Sequence, residues 1–323
     1  PQGSRVAAPR SGMNLRERFL CALRHEEPDQ VPYWDYSIAD NVVKALAGRI
    51  LSSKEVGRFF DRVDLEYWRK PPDFAVYSSP AGGVRKFLGD GLVRTRSDLP
   101  LMALPDPAPT QELEAAMQLI EGKEEFAVGL VISLGAECTL SSMGFDGFAY
   151  ALYDDPGLVR EVMQRFVDWT LAVLDAFQDL GFDYILSSDD IAYKTAPFFS
   201  PQVFRDFLMP GMQQVAQAIH LPWIFHSDGN LMPIMDDLLS LGIDGLNPIE
   251  PLAMDIFELK RIHGERLCLV GNIDINNLSL GTPESVREEV RLKIQALAPG
   301  GGYILSLIHI SEPTRLLSIS YAV

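Results

Sequence analysis

Basic charge, cysteine and long apolar runs are all scarce in this 323-residue chain. Twenty-eight lysines and arginines stand against 44 aspartates and glutamates, a formal net charge of −16. Nucleic acids and anionic membrane surfaces are bound by basic faces that displace or attract counterions, so the charge balance excludes both as partners. Three cysteines, Cys21, Cys138 and Cys268, are too few and too scattered for a disulfide framework or a paired Cys-x-x-Cys zinc site. That usage fits a reducing cytoplasm. No apolar run reaches the ~18 residues of a membrane-spanning helix. The opening Pro1-Gln2-Gly3-Ser4-Arg5 also lacks the apolar stretch of a signal peptide. A soluble, unsecreted protein is expected. No Gly-x-Gly-x-x-Gly loop follows a strand, which argues against a dinucleotide-binding sheet.

Apolar residues are abundant: 47% of the chain is hydrophobic and 22% charged, enough to bury one large core. A single domain is the expectation, since α/β barrels of this length are commonly one domain. Both ends are set apart from it. The first amphipathic pattern opens at Met13, so residues 1–12 read as a leader that is disordered or not native. At the other end, Leu305-Ser306-Leu307-Ile308-His309-Ile310-Ser311-Glu312-Pro313-Thr314-Arg315 resembles a translated sequencing adapter, and Ile319 to Val323 its next constant segment. Residues 305–323 are therefore read as adapter read-through. The domain is expected over 13–304.

Within those bounds, apolar strands alternate with amphipathic helices. Strands are expected at Val31 to Trp34, Phe126 to Ile132, Tyr184 to Leu186, Trp223 to Phe225, Gly245-Leu246, Leu267 to Val270 and Tyr303-Ile304. Helical spacing covers 15–23, 39–51, 111–123, 155–180, 201–219, 232–241, 256–262 and 283–297. The stretch 78–101, with Gly82-Gly83 and Gly89-Asp90-Gly91 between short extended runs, reads as a β-hairpin insertion that covers one face. Strand–helix alternation implies a parallel sheet with right-handed crossovers. About eight strands over this length favour an α/β fold of the single (β/α)8 barrel type, with an open doubly wound sheet as the alternative.

In such barrels the active site is built at the carboxyl ends of the strands. Here those ends are polar in turn: Trp34-Asp35-Tyr36, Ser133 with Glu137, Ser187-Ser188-Asp189-Asp190, His226-Ser227-Asp228, Asn247 with Glu250, and Gly271-Asn272-Ile273-Asp274. In the segment His226-Ser227-Asp228-Gly229-Asn230, an imidazole and a carboxylate two residues apart point the same way from an extended chain. Both can face one ligand or metal. Asp189-Asp190 places two carboxylates together, where repulsion raises one pKa unless a cation or donor compensates. Asp189, Asp190 and His226 are the candidate catalytic residues. Trp34, Tyr36, Glu137, Asn247, Asn272 and Asp274 are candidate substrate contacts. His226, Asp228 and Glu250 are the candidate metal ligands. Capping of the next helix is the bland alternative for Asp35 and Asp274, and a rigid turn around Pro248 and Pro251 for Asn247 and Glu250.

Several segments together carry a family resemblance. Met13-Asn14-Leu15-Arg16-Glu17-Arg18, His25-Glu26-Glu27-Pro28-Asp29-Gln30-Val31-Pro32, Ser200-Pro201 with Phe204, His226-x-Asp228-Gly229-Asn230, Gly271-Asn272-Ile273-Asp274 and Gly300-Gly301-Gly302-Tyr303 resemble, in order and spacing, the uroporphyrinogen decarboxylase superfamily. The resemblance implies a (β/α)8 barrel acting on a small-molecule substrate, with two chemistries divided between branches. One is cofactor-free decarboxylation of a tetrapyrrole in porphyrin biosynthesis. That branch carries an Arg-x-x-Gly-Arg-type segment after the first strand to pair with carboxylates. This chain has Asp35-Tyr36-Ser37-Ile38-Ala39-Asp40 there. The other is methyl transfer between a corrinoid, carried by a corrinoid protein, and a thiol or other acceptor, with zinc activating the thiol. That branch shows His-x-Cys where this chain has His226-x-Asp228. The resemblance thus implies a methyltransferase using a divalent metal and a corrinoid, ahead of a decarboxylase using neither. Further ligands are sought among Glu137, Asp189, Asp190 and Glu250. A non-catalytic corrinoid-binding or scaffold subunit is the alternative from outside enzymology.

Overall fold

The computed structural model describes residues 12–35, 38–78, 86–121 and 123–307. Its strands are β1 (Tyr33–Trp34), β2 (Asp64–Trp68), β3 (Ala75–Ser78), β4 (Lys86–Gly91), β5 (Ala127–Ile132), β6 (Tyr184–Ser188), β7 (Trp223–His226), β8 (Gly245–Asn247), β9 (Cys268–Ile273) and β10 (Tyr303–Leu307). Eight of them form one sheet in the order β1-β10-β9-β8-β7-β6-β5-β2, and β3 with β4 forms a separate ladder. Helices stand between successive strands of the large sheet. This is the strand succession of a (β/α)8 fold with a hairpin insertion, as the alternation implies. β5, β6 and β9 are buried at every position, the pattern of parallel strands covered on both faces. Among the described residues no helix is long and apolar enough to cross a membrane.

By internal contacts the chain divides into two compact units, each made of discontinuous segments. The first comprises residues 1–65, 121–128 and 244–323. In it β10 lies parallel to both β1 and β9, with Tyr33 opposite Leu305 and Tyr303 opposite Leu269. Tyr33 also bridges Arg62 in parallel. Leu305, Ser306 and Leu307, the start of the expected read-through, thus belong to β10, and the rest of that tail lies outside the described residues. The helix Pro283–Leu297 begins at the predicted proline, with Thr282 as its cap.

The second unit comprises residues 66–120 and 129–243. Here β6 runs parallel to β5 and to β7. The long helix Pro156–Phe177 starts behind the Asp155 cap and buries Leu158, Val162, Phe166, Trp169 and Val173, a stripe at helical spacing. The hairpin starts earlier than 78 and ends at Gly91; Arg96–Leu101 is a 3-10 turn rather than a strand, since Asp98 turns back to cap Thr95. Residues 79–85 of that hairpin lie outside the described residues. Its far end is pinned where the chain crosses itself: Val93 N–H donates to Ser142 O at 3.0 Å. A Cβ on Gly144 would fall 2.6 Å from Gly91 N, so only glycine admits the crossing.

Two features of this fold escape the periodicity. β2 alternates acid and apolar residues, Asp64-Leu65-Glu66-Tyr67, instead of forming an apolar run. The helices Ala136–Met143 and Phe145–Asp154, after β5, carry glycine and serine at their shared corner and show no strong stripe.

Candidate metal centre

The centre belongs to the second unit, at the carboxyl ends of β6 and β7. Ser188 and His226 are register partners, and Asp189 N–H donates to His226 O at 3.0 Å, so the two ends are tied at the point where polar residues begin. Beyond that tie the neighbouring aspartates take different partners.

Asp189 is fully buried and accepts from Ser133 Oγ at 3.0 Å, Leu134 N at 2.5 Å and Glu137 N at 3.1 Å. Burial pushes its carboxyl up, against the opposing effects of Lys70 and these donors. Its role is to hold the turn between β5 and the helix Ala136–Met143.

Asp190 faces the other way. Its Oδ1 accepts the backbone N–H of Asp228 at 2.9 Å and lies 3.6 Å from His226 Nε2. One ligand atom each from Asp190, His226 and Asp228 fall within 4.8 Å of one another. His226 is buried, while both aspartates are half-buried. The loops carrying them are stitched together. Ser227 Oγ accepts from Ile191 N at 3.1 Å and donates to Asp228 O at 3.0 Å. Asn230 N–H donates to Tyr193 O at 2.8 Å. Gly229 sits at φ +90°, where an added Cβ would stand 2.6 Å from Tyr193 O. The close approach at this glycine is to the loop at Ala192 and Tyr193.

An imidazole flanked by two carboxylates is a donor set for zinc or a harder divalent ion. Thiolate is absent from it. The nearby Cys138 is buried, its thiol pushed up to about 12 by burial, and its sulfur lies 3.6 Å from Ser133 Oγ. Asp190, one of several carboxylates considered for a further ligand, completes the trio with the predicted His226 and Asp228.

Glu137 also lies in this unit, with its carboxylate on Lys70, whose Nζ donates to Glu137 Oε2 at 3.1 Å and to Ser188 Oγ at 3.2 Å. Burial raises Glu137 to about 7, Lys70 opposing and Asp190 and Asp189 reinforcing the shift. Burial lowers the Lys70 ammonium, but Glu137 and Asp189 outweigh it and the net direction is up. Lys70 is the residue that sequence reasoning missed. It follows β2 directly, and with β2 unrecognised there was no strand end to which a lysine could belong.

The other predicted residues belong to the first unit. Trp34 is fully buried and donates from Nε1 to Asp64 Oδ2 at 2.6 Å, so its indole serves the interior. Tyr36 lies outside the described residues. Asn247 is buried at the end of β8. Glu250 is half-buried in the following turn, where its carbonyl accepts from Ala253 N and Met254 N at 3.0 Å each. Asn272 is buried in β9 and its carbonyl accepts from Lys293 Nζ. Asp274 caps the helix Ile275–Leu280 through a 2.8 Å bond from Asn276 N, the bland role.

Comparison with known proteins shows what this chain is similar to. Over 330 residues the chain is 23% identical to a uroporphyrinogen decarboxylase of Alkalilimnicola ehrlichii, spanning 92% of this chain and 89% of that one. Over 150 residues it is 27% identical to the methylcobamide:CoM methyltransferase MtaA of Methanosarcina barkeri, 45% of this chain and 43% of that one. Among solved structures, a methyltransferase from Methanosarcina mazei shares the fold with a TM-score of 0.74 at 19% identity, over 96% of this chain and 97% of that one. The uroporphyrinogen decarboxylase (URO-D) family model matches residues 91–314, more than half of the chain. The chain belongs to the URO-D family.

Proposed function

We propose that this protein is a metal-assisted methyltransferase that works in the cytoplasm with a corrinoid, delivered by a corrinoid protein. The observation carrying the reading is the convergence of Asp190, His226 and Asp228 at the ends of β6 and β7. The partial similarity to a methylcobamide:CoM methyltransferase supports it, as does the absence of arginine from the Asp35 to Asp40 segment after β1. His226 and the two aspartates would hold a divalent metal. When bound, that metal supplies a Lewis acid that lowers the pKa of an acceptor thiol. Asp189 braces the loop that carries Asp190, and the Ser227 hydroxyl ties Ile191, next to Asp190, to the Asp228 carbonyl.

Decarboxylation of a porphyrinogen is the second reading, favoured by the breadth of similarity to uroporphyrinogen decarboxylases. It needs neither metal nor corrinoid. The two are separated by metal analysis of the purified protein and of His226→Ala, with turnover on methylcobalamin plus 2-mercaptoethanol and, separately, on uroporphyrinogen. Stoichiometric metal that is lost in His226→Ala, with methyl transfer to the thiol, is the expected result. Decarboxylation by metal-free protein would establish the second reading instead. A folded, metal-free protein inactive in both assays would point to a scaffold subunit.

A further inference from the structure

The inserted hairpin supplies no member of the metal trio, yet a ladder of aromatic rings runs from it to the loop that carries Asp190. Tyr77 of β3 and Phe87 of β4 are register partners, with ring centroids 5.9 Å apart. Phe87 meets Phe145 at 5.7 Å, and Phe145 meets Phe198 at 5.3 Å. Each pair is tilted, within the range of distances and angles at which aromatic rings attract. Phe145 and Phe198 remain 41% and 40% exposed. Neither is a core-filling ring, and the pair spans two surface segments.

Phe198 is built into the loop after β6. Its N–H donates to Ile191 O at 3.0 Å, Tyr193 N–H donates to Ala196 O at 2.8 Å, and Ala192 bridges Pro197 in antiparallel fashion. Residues 191–198 therefore fold back on themselves immediately after Asp190. This turn is tied to the Asp228 loop, with Ile191 N donating to Ser227 Oγ at 3.1 Å and Asn230 Nδ2 to Thr195 O at 3.2 Å. Phe145 is anchored from the other side. It opens the helix that follows Ala136–Met143, and the first turn of Ala136–Met143 is held by Glu137 N–H on Asp189 Oδ1 at 3.1 Å. β4 joins the same corner through the bridge between Asp90 and Gly144. The contacts close a circuit: from Asp189 along the helix to Phe145, across the rings to Phe198, and back through the turn to Asp190. Each link in a closed circuit removes freedom that an open loop keeps.

We propose that Phe145 and Phe198 are positioning residues for the metal centre, coupling the β3–β4 hairpin to the Asp190 loop; this rests on the reading above in which the trio holds a divalent metal. Asp190 serves as a ligand only where it, His226 and Asp228 reach one ion, and the ring pair favours the loop arrangement that puts it there. The coupling is reciprocal. Whatever the hairpin contributes to metal affinity, bound metal returns to the hairpin as added protection.

The test titrates metal-free, full-length protein with zinc against a chromophoric chelator, and follows hydrogen–deuterium exchange in the strands Ala75–Ser78 and Lys86–Gly91. Zinc should slow exchange in both strands of the wild-type protein. Phe198→Ala should bind zinc about 3–10-fold more weakly, the range expected when one aromatic pair no longer favours the competent loop, and zinc should then leave hairpin exchange unchanged. Phe145→Ala should do the same, and the double variant should be no weaker than either single one, because both delete one contact. Phe198→Tyr keeps the ring and should retain wild-type values. An alanine variant equal to wild type in zinc affinity overturns the proposal and leaves the trio standing, as does wild-type protein that binds zinc without any change in hairpin exchange. A double variant whose loss is the product of the single losses overturns it too, since the rings would then act separately. Loss of affinity that tracks a lower denaturant midpoint of the metal-free variants would make the rings merely structural and overturns it likewise. Wild-type protein that binds no zinc overturns the trio reading, and this proposal with it.

Discussion

His226 Nε2 lies 3.6 Å from Asp190 Oδ1, the same oxygen that accepts the Asp228 N–H at 2.9 Å. One carboxylate thus positions the loop of one partner and stands within coordinating reach of the other. The two duties are separable by substitution. Asp190→Asn keeps an oxygen acceptor for Asp228 N–H but removes the charge, so the fold should persist while metal affinity drops. Loss of outer-shell partners typically costs about 10–100-fold in affinity, and loss of a charged ligand should cost at least that. Competition with a chelator measures it; an unchanged affinity would take Asp190 out of the centre.

Gly229 tests the support of the centre. With φ at +90° and a prospective Cβ 2.6 Å from Tyr193 O, Gly229→Ala must shift the loop. A strained backbone position costs roughly 1–3 kcal/mol. Weaker metal binding should accompany the lower denaturant midpoint, and an alanine variant equal to wild type in both would show that the loop is not rigidly required.

Asp189→Ala should be far more damaging than Asp189→Asn. Alanine removes the acceptor from Leu134 N, Glu137 N and Ser133 Oγ at once. An orphaned buried donor costs about 1–3 kcal/mol, so a loss of several kcal/mol is expected in chemical denaturation. Equal stability of the two variants would contradict the account of Asp189 as a brace.

Glu137 should leave a signature in the pH dependence of stability. Its carboxyl sits at about 7 in the folded chain against 4.5 for the ordinary group. Between those values the folded state holds more protons than the unfolded state, so stability falls as pH rises from 4.5 to about 7. In metal-free protein the denaturant midpoint should show this slope, and Glu137→Gln should flatten it. An identical slope in both proteins would mean that the carboxyl titrates normally.

Trp34→Phe should act on stability and leave the metal alone. The substitution deletes the 2.6 Å bond from the buried indole to Asp64, worth about 1–3 kcal/mol because the acceptor is charged. A lower midpoint with full metal content is expected. Loss of metal at unchanged stability would restore Trp34 to the site.

Much of this was legible in the chain alone. Apolar runs too short for a membrane but long enough for buried strands named β5, β6, β7 and β9, because a parallel strand covered on both faces must be apolar at consecutive positions. The helix Pro283–Leu297 announced both its ends through Thr282, Pro283 and a regular stripe. His226-x-Asp228 could be read as a pair for a local reason: residues two apart on an extended segment share a side. Position along one strand is information that a sequence holds.

Partnership across strands is not held there. Asp189 and Asp190 are chemically identical neighbours, and nothing in their spacing says which one braces a turn and which one meets an imidazole. Packing decided it, by burying Asp189 under three donors and leaving Asp190 beside His226. Lys70 stands 67 residues from Glu137 and 118 from Ser188, so its place beside the centre exists only once β2, β5 and β6 are ordered in the sheet. The sequence by itself determined the class of fold and the strand ends where chemistry could reside. The tertiary structure decided which side chains meet, because burial and hydrogen-bond satisfaction are properties of neighbours in space.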